Sequence, residues 1–250
     1  MADKTLFKRP RTLKDRSTAY CPGCGHGQAH VLLAGVIDEL GIRETTVGVA
    51  PVGCSVEAYH FLDIDMSESA HGRAPAVAAG IKRSRPGLTV FTYQGDGDLA
   101  SIGLAEILHA ANRGENFTTI FINNTVYGMT GGQLAPTTLV NQKTQTSPLG
   151  RDPRTMGHPM RICELIDQLE SPYYVVRCAL DKPAGIRLAR QAIRRAFQYQ
   201  IAGRGFTFVE LLSACPTYWR RTPKESMDYI GTTLVPVFPL KVFRDRGAAA

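Results

Sequence analysis

The feature that most constrains this chain is a pair of apolar runs, each stopping at a polar loop. Residues 88–93 supply Leu88, Val90, Phe91 and Tyr93, then deliver Gly95-Asp96-Gly97-Asp98 into a helical pattern beginning near Leu99. Residues 118–122 form a second β-type run and deliver Asn123-Asn124. A strand, a loop, a helix and a second strand make the unit of a parallel sheet, and both loops then lie at its carboxyl edge. Open α/β sheets bind their ligands at that edge.

The residue types in these loops point to phosphate and a metal. Gly95 and Gly97 permit a turn and the close approach of a bulky group, and the free N–H groups at the start of the following helix favour an anion. Asp96 would repel a bare diphosphate, so a divalent cation is needed between them. Mg²⁺ takes hard oxygen ligands in an octahedron, which Asp96, the amide oxygen of Asn124, a nearby main-chain carbonyl and two diphosphate oxygens would supply. The rival is a dinucleotide site, because Gly95-x-Gly97-x-x-Ala100 satisfies a loose version of that pattern. It requires an acidic residue about 20 positions on, at the end of the next strand; Asn123-Asn124 stand there instead. The plainest alternative is a strand-to-helix turn capped by Asp98.

With 250 residues, 44% of them hydrophobic, the chain can bury a substantial core as one α/β domain. Strands are expected over 45–52, 88–93, 118–122, 173–179 and 206–212, with helices following Gly27 and over 56–62, 161–169 and from Pro183 onward. The Pro183 helix buries Ile186, Ala189, Ile193 and Phe197 and turns Arg187, Arg190 and Arg194 outward. This alternation predicts a doubly wound, mostly parallel sheet. Residues 1–20 read as an extended N-terminal arm lying on a partner, 21–217 as the domain proper, and 218–250 as an extended, Pro-containing tail. The long Gly-, Thr- and Pro-rich segment after Asn124 reads as a lid or subunit contact. The net charge of +7 is dispersed and belongs to no nucleic-acid motif, so no nucleic-acid partner is expected. It would suit an acidic electron carrier. No apolar run approaches the ~20 residues of a membrane span, and charges occupy the region where a signal peptide is apolar. A cytoplasmic protein with no membrane partner is expected.

Six cysteines in such a chain suggest ligation more than disulfides. Cys21 and Cys24 share a tight loop, Cys54 leaves a strand, and Cys215 follows the last strand of the domain. Four thiolates from three loops suit either a tetrahedral zinc or a [4Fe–4S] cube. Cys163 and Cys178 lie within apolar patterns and read as small buried hydrophobes.

Two resemblances sharpen this reading. Gly95-Asp96-Gly97, separated by residues 98–122 from Asn123-Asn124, resembles the thiamine diphosphate fingerprint. That implies the side chains of Asp96 and Asn124, and the carbonyl of Val126, as Mg²⁺ ligands. More specifically, six segments together resemble the thiamine-diphosphate-binding β subunit of 2-oxoacid:ferredoxin oxidoreductases. They are residues 21–27 (CPGCGHG), 52–55 (VGCS), 71–73 (HGR), 95–98 (GDGD), 123–133 (NNTVYGMTGGQ) and 215–217 (CPT).

The resemblance spans residues 20–217. It implies a thiamine diphosphate-binding α/β fold and a [4Fe–4S] cluster on Cys21, Cys24, Cys54 and Cys215. Val52, Gly53, Cys54, Ser55, His71, Gly97, Gly128 and Met129 would line the cofactor, with His71 as the catalytic side chain. The activity implied is CoA-dependent oxidative decarboxylation of a 2-oxoacid, with electrons passed through the cluster to ferredoxin.

Some relatives carry Lys where this chain has Glu57 and Gly131, which removes a cation for the substrate carboxylate. The Met-Thr-Gly-Gly-Gln version is similar to the branch using 2-oxoglutarate or branched-chain 2-oxoacids. 2-Oxoglutarate is the substrate expected, with a branched-chain 2-oxoacid or pyruvate as alternatives. A non-redox thiamine diphosphate decarboxylase or synthase is the alternative activity. No Glu stands in a motif that would activate the aminopyrimidine, which implies an α subunit completing the site. Gamma and ferredoxin-like delta subunits are further implied partners.

Overall fold

The computed structural model of the chain describes residues 8–248. In chain order, α1 (Gly25–Leu40) leads to β1 (Thr46–Ala50), α2 (Ala58–Phe61), β2 (Asp65–Glu68), α3 (Ala74–Ser84), β3 (Thr89–Gly95), α4 (Leu104–Asn112) and β4 (Thr118–Asn123). A long connection carries the hairpin β5 (Val126–Tyr127) and β6 (Gln133–Leu134) and the turn α5 (Pro153–Met156). Then come α6 (Ile162–Asp167), β7 (Tyr174–Ala179), α7 (Pro183–Ile201), β8 (Thr207–Leu212), α8 (Pro216–Trp219), α9 (Pro223–Tyr229), α10 (Val235–Val237) and β9 (Lys241–Asp245).

Seven strands form one sheet in the order β2-β1-β3-β4-β8-β7-β9, parallel throughout except for β9. The mostly parallel, doubly wound sheet expected from the sequence is therefore present. β4, β7 and β8 are buried along their whole length, as strands covered by helices on both faces must be. Side chains alternate between the faces: Phe91, Tyr93, Ile120, Val176 and Val209 pack toward α1 and α7. Val90, Phe121, Val175 and Phe208 pack toward α3, α4 and α6. Cys178 belongs to the first cluster and Cys163 to the second, each as a small apolar filler.

The topology selects one crevice. β1 connects onward to β2 on one side, whereas β3 connects to β4 on the other, so the winding reverses between β1 and β3. The carboxyl ends of those two strands diverge into loops that leave a gap, which is where doubly wound sheets take ligands.

Two expectations at the ends of the chain need correction. The segment after 217 is not an extended tail. Thr222 and Glu225 form a reciprocal capping box at the start of α9, and the last strand, β9, pairs antiparallel with β7. Ile230, Leu234 and Phe238 are buried against Ala179, Leu212 and Ala214, so apolar burial and not proline content decided this segment. At the other end, residues 1–7 of the arm lie outside the described residues. The rest of the arm lies on this chain: Thr12 Oγ1 donates to Asp38 at 2.6 Å, Leu13 bridges to Leu62, and Tyr20 stacks on His26.

Candidate active site

Four strand ends bring the candidate residues to the carboxyl edge. In register, Gly48 of β1 lies opposite Phe91, Phe91 opposite Thr118, and Thr118 opposite Thr207. The loops at residues 51–55, 95–98, 123–125 and 213–215 therefore emerge side by side. Gly25 N–H donates to Ala214 O at 3.2 Å, which ties the Cys21/Cys24 loop to the Cys215 loop.

Two adjoining clefts result. The first, about 150 Å³, is lined by Cys21, Cys24, Cys54 and Cys215 together with Tyr20, His26, Glu57 and Met129. Gly128 is held between two of these thiols: a Cβ there would lie 3.2 Å from Cys54 Sγ and 3.9 Å from Cys215 Sγ. Burial pushes Cys24 up to about 11 and Cys54 and Cys215 up to about 12, and neighbouring cysteines add to the rise at each. Cys163 and Cys178 are remote from this cleft, in the core.

The second cleft, about 90 Å³, is lined by Val52, Gly53, Cys54, Ser55, His71, Asp96, Gly97, Asn124, Val126, Gly128 and Met129. Every cofactor-lining residue expected from the sequence is thus brought to one place. His26, Cys54, Asn124, Gly128 and Met129 line both clefts. Gly97 has an ordinary helical backbone, φ −64° and ψ −31°, so the turn itself does not need glycine there. What needs it is the Tyr127 ring, which a side chain on Gly97 would strike.

Asp96 is 2% exposed. Its Oδ2 accepts from Thr137 Oγ1 at 2.6 Å and its Oδ1 from Gly97 N–H at 2.9 Å. Burial pushes its carboxyl up to about 7, and these hydrogen bonds oppose the rise. Asn124 Oδ1 accepts from Val126 N–H at 3.2 Å, while Asn124 O accepts from Trp219 Nε1 at 3.0 Å. Between them Thr125 holds φ +64°, a left-handed conformation that a β-branched residue rarely adopts. The connection after Asn124 compensates for it: Thr138 and Gln142 hydrogen-bond Thr125, and buried Arg151 donates to six carbonyls between Ala135 and His158. This segment therefore buttresses the site from within its own chain.

Asp98 is not a helix cap. Its Oδ1 accepts from Gly72 N–H at 2.6 Å and contacts His71 Nδ1, and its Oδ2 accepts from Gln94 Nε2 at 2.6 Å. Burial raises its pKa, and the Gln94, Gly72 and His71 hydrogen bonds oppose that rise. A carboxylate on Nδ1 fixes the proton there and leaves His71 Nε2 toward the cleft. Sequence reasoning missed the roles of Asp98, Thr137, Tyr127 and Trp219; Asp98 and Tyr127 stood inside quoted motifs, Thr137 and Trp219 in none.

Comparison with known proteins agrees with this geometry. Residues 48–211, well over half of the chain, match the family described as thiamine pyrophosphate enzyme, C-terminal TPP binding domain. The 2-oxoglutarate synthase subunit KorB of Archaeoglobus fulgidus is 37% identical over 85% of this chain and 75% of its own length. The chain belongs to the thiamine-diphosphate-binding subunits of 2-oxoacid:ferredoxin oxidoreductases.

Within this family, the ketoisovalerate oxidoreductase subunit VorA of Methanothermobacter thermautotrophicus is 51% identical over 97% of the chain. The chain spans about half (51%) of the length of that relative. The solved 2-oxoglutarate:ferredoxin oxidoreductase from Magnetococcus marinus, with 2-oxoglutarate, coenzyme A and succinyl-CoA bound, superposes with a TM-score of 0.78 at 25% identity, over 100% of this subunit and 88% of that chain. The thiamine-binding fold expected from the sequence is thus the fold of this subunit. Among the described residues no helix is long and apolar enough to cross a membrane.

Proposed function

We propose that this subunit carries the thiamine diphosphate and a [4Fe–4S] cluster of a 2-oxoacid:ferredoxin oxidoreductase. With an α subunit it would oxidatively decarboxylate a 2-oxoacid to an acyl-CoA and CO₂ and pass electrons to ferredoxin. The observation that carries this reading is the shared wall: His26, Cys54, Asn124, Gly128 and Met129 line both clefts, so groups seated in them would be neighbours.

The donor sets fit both inorganic groups. Cys21, Cys24, Cys54 and Cys215 line one cleft of about 150 Å³. Four thiolates suit either a tetrahedral zinc or a multi-iron cube, and membership of the family favours the cube on Cys21, Cys24, Cys54 and Cys215. For Mg²⁺, buried Asp96 faces no cationic side chain in its cleft, and Asn124 and the Val126 carbonyl complete a set of hard oxygens.

When bound, thiamine diphosphate supplies the nucleophilic carbon and electron sink for decarboxylation, and the cluster a one-electron acceptor. The chain's own residues bind and orient. Asp96 and Asn124 would fix the diphosphate end through the metal. Gly97, Gly128 and Met129, with Val52 to Ser55, would wall the rest. His71, with its Nδ1 proton held by Asp98, would present Nε2 to the cleft as the group that accepts or returns a proton.

On substrate, one observation favours a branched-chain 2-oxoacid over 2-oxoglutarate. Among the described residues no Lys or Arg lines the thiamine cleft to meet a second carboxylate, Glu57 lines the adjoining one, and Val52 and Met129 expose apolar surface. The higher identity to the ketoisovalerate relative points the same way.

The test is co-purification of the assembled enzyme without oxygen, followed by a panel of 2-oxoacids with CoA and a dye acceptor. The reading expects iron, sulfide and thiamine diphosphate in the preparation, CoA-dependent dye reduction fastest with 2-oxoisovalerate, and no turnover by the isolated chain. An iron-free protein that decarboxylates without reducing the dye would establish the non-redox alternative instead.

A further inference from the structure

The proposed function gives no role to His26, which stands where the two clefts meet. It is the second residue of α1, lines both clefts, and is 2% exposed. Two aromatic neighbours fix its ring. Tyr20 stacks on one face, with ring centroids 4.9 Å apart and planes 14° apart, and is itself anchored by its hydroxyl donating to Cys54 O at 3.0 Å. Tyr93, with no exposure, sets its hydroxyl 2.7 Å from His26 Nδ1.

That phenol decides the tautomer. A phenol, with an ordinary pKa near 10, keeps its proton, and His26 Nδ1 is the one hydrogen-bond partner of Tyr93 Oη among the described residues. A buried O–H is rarely left without an acceptor, so Tyr93 donates to Nδ1 and the neutral imidazole carries its proton on Nε2. Nε2 makes no hydrogen bond among the described residues. It is not sealed in the core either, unlike His30 Nδ1, which is buried without a partner. The N–H therefore opens on the clefts that the ring lines. Two observations put it on the cysteine side. The stacked Tyr20 lines the cysteine cleft and not the thiamine cleft. Burial pushes the Cys24 thiol up, and the His26 backbone N–H opposes that rise, so this residue already faces a sulfur.

We propose that His26 donates its Nε2–H to a sulfur of the cluster on Cys21, Cys24, Cys54 and Cys215, and thereby sets the potential at which that cluster accepts an electron. The inference rests on the reading of this subunit as the carrier of that cluster. Its sign follows from charge. An added electron makes the sulfurs more negative, so a donor bonded to one of them favours the reduced state. The N-terminal pole of α1, 16 residues long with Cys24 as its N-cap, acts in the same direction. Tyr93 lines neither cleft and is a positioning residue, holding the proton on Nε2 from behind.

Two measurements test this on the wild-type full chain, purified without oxygen. With ¹⁵N in the histidine rings, NMR of the iron-free chain should show His26 protonated at Nε2 and bare at Nδ1. Pulsed EPR of the reduced cluster should show a ¹⁵N coupling that is absent from His26→Gln. Redox titration followed by EPR then reads the potential. His26→Leu should make reduction at least about tenfold less favourable, which is about 59 mV more negative for one electron. His26→Gln, whose amide N–H reaches the place of Nε2, should restore the wild-type potential. His30→Phe disturbs packing against the same Tyr20 and Tyr93 rings but lines neither cleft, and should leave the potential unchanged.

The proposal is overturned if His26 carries its proton on Nδ1, if no ¹⁵N coupling is lost in His26→Gln, or if His26→Leu holds a full cluster at the wild-type potential. Should His26→Leu fail to hold a cluster, the labelled wild type and His26→Gln still decide. An unchanged potential with weakened thiamine diphosphate binding in His26→Leu would also overturn it, by placing the N–H in the other cleft. Failure of the oxidoreductase reading looks different: the chain then holds no iron or sulfide and gives no cluster signal in any variant.

Discussion

Removing the Arg177 guanidinium should destabilise this subunit more than almost any other single change. Arg177 on β7 and Glu210 on β8 both have side chains with no exposure, joined at 2.8 Å. Arg177 also reaches Glu164 at 2.6 Å, donates to Pro239 O at 3.3 Å, and lies over the Phe238 and Phe243 rings at 5.4 and 5.0 Å. Burial opposes its charge, but Glu210 and Glu164 more than offset this and hold its pKa above the ordinary arginine value. Arg177→Met keeps the bulk and strands the Glu210 carboxylate in the core. Breaking one side of a buried pair costs about 3–5 kcal/mol, a large part of the ~5–15 kcal/mol that keeps a domain folded. In a chain of this size that is a drop of about 10 °C in Tm. Glu210→Gln alone should cost less, because Arg177 retains Glu164 and the Gln carbonyl can still accept from Asn123 Nδ2, now 2.8 Å from Glu210 Oε1. Adding Glu210→Gln to Arg177→Met removes the stranded charge and should recover about 2 kcal/mol. Urea unfolding of the wild type, both single variants and the double variant measures this cycle. A cost under about 1 kcal/mol for Arg177→Met, or strict additivity of the two changes, would refute the account.

The remaining expectations concern the site more directly. Asp96→Ala should abolish Mg²⁺-dependent thiamine diphosphate binding while leaving iron content intact; calorimetry showing retained affinity would sink the metal assignment. Cys215→Ala should lose the cluster, whereas Cys163→Ala and Cys178→Ala should keep it, judged by iron and sulfide content and low-temperature EPR. The reverse pattern would mean the fourth ligand is wrong. Asp98→Asn should free His71 to change tautomer and lower kcat in the assembled enzyme with little change in cofactor affinity; unchanged kcat with an unaltered ¹⁵N histidine spectrum would remove Asp98 from its orienting role. Burial lowers the His30 pKa to about 3, with His26 adding to the effect. Its neutral form is therefore favoured in the fold, and stability is lost as pH falls below the ordinary histidine value near 6.5, by about 1.4 kcal/mol per unit. His30→Phe should move the acid-unfolding midpoint to lower pH, and an unmoved midpoint would contradict this.

The elements legible in the sequence were those whose signal is local. Apolar strands ending in Gly-Asp-Gly-Asp, Asn-Asn and Gly-Cys-Ser announced the sheet edge, because buried parallel strands must be apolar and only their ends can hold polar chemistry. Asp98 was misread because an aspartate after a glycine turn has the same local appearance whether it caps a helix or receives a histidine 27 positions earlier. Thr137, which holds Asp96 Oδ2, lies 41 residues further on, and nothing in its neighbourhood marks it. Arg177 and Glu210 each interrupt an apolar strand, a pattern that could have suggested a buried pair. The C-terminal segment carried one readable sign, the Thr222-Pro223-Lys224-Glu225 capping sequence. Its closing strand, Lys241–Asp245, did not, since charged edge residues look like a loop until a neighbouring strand offers its backbone.

The proposed function also sets what this chain's own residues would contribute. The lining of the thiamine cleft contains two carboxylates, Asp96 and Asp98. Asp96 is held by Thr137 and Gly97, and Asp98 by Gly72, Gln94 and His71, so neither is free to hydrogen-bond an aminopyrimidine nitrogen. Glu57 lines the cysteine cleft and is absent from the lining of the thiamine cleft. Under the proposed function, an acidic residue that activates the aminopyrimidine would come from the α subunit. Affinity for thiamine diphosphate should then rise sharply when the α subunit is added, while affinity of the isolated chain for inorganic pyrophosphate with Mg²⁺, which needs only the metal loop, should change little. Equal gains for both ligands on assembly would place the α subunit's contribution around the phosphates and not around the rings.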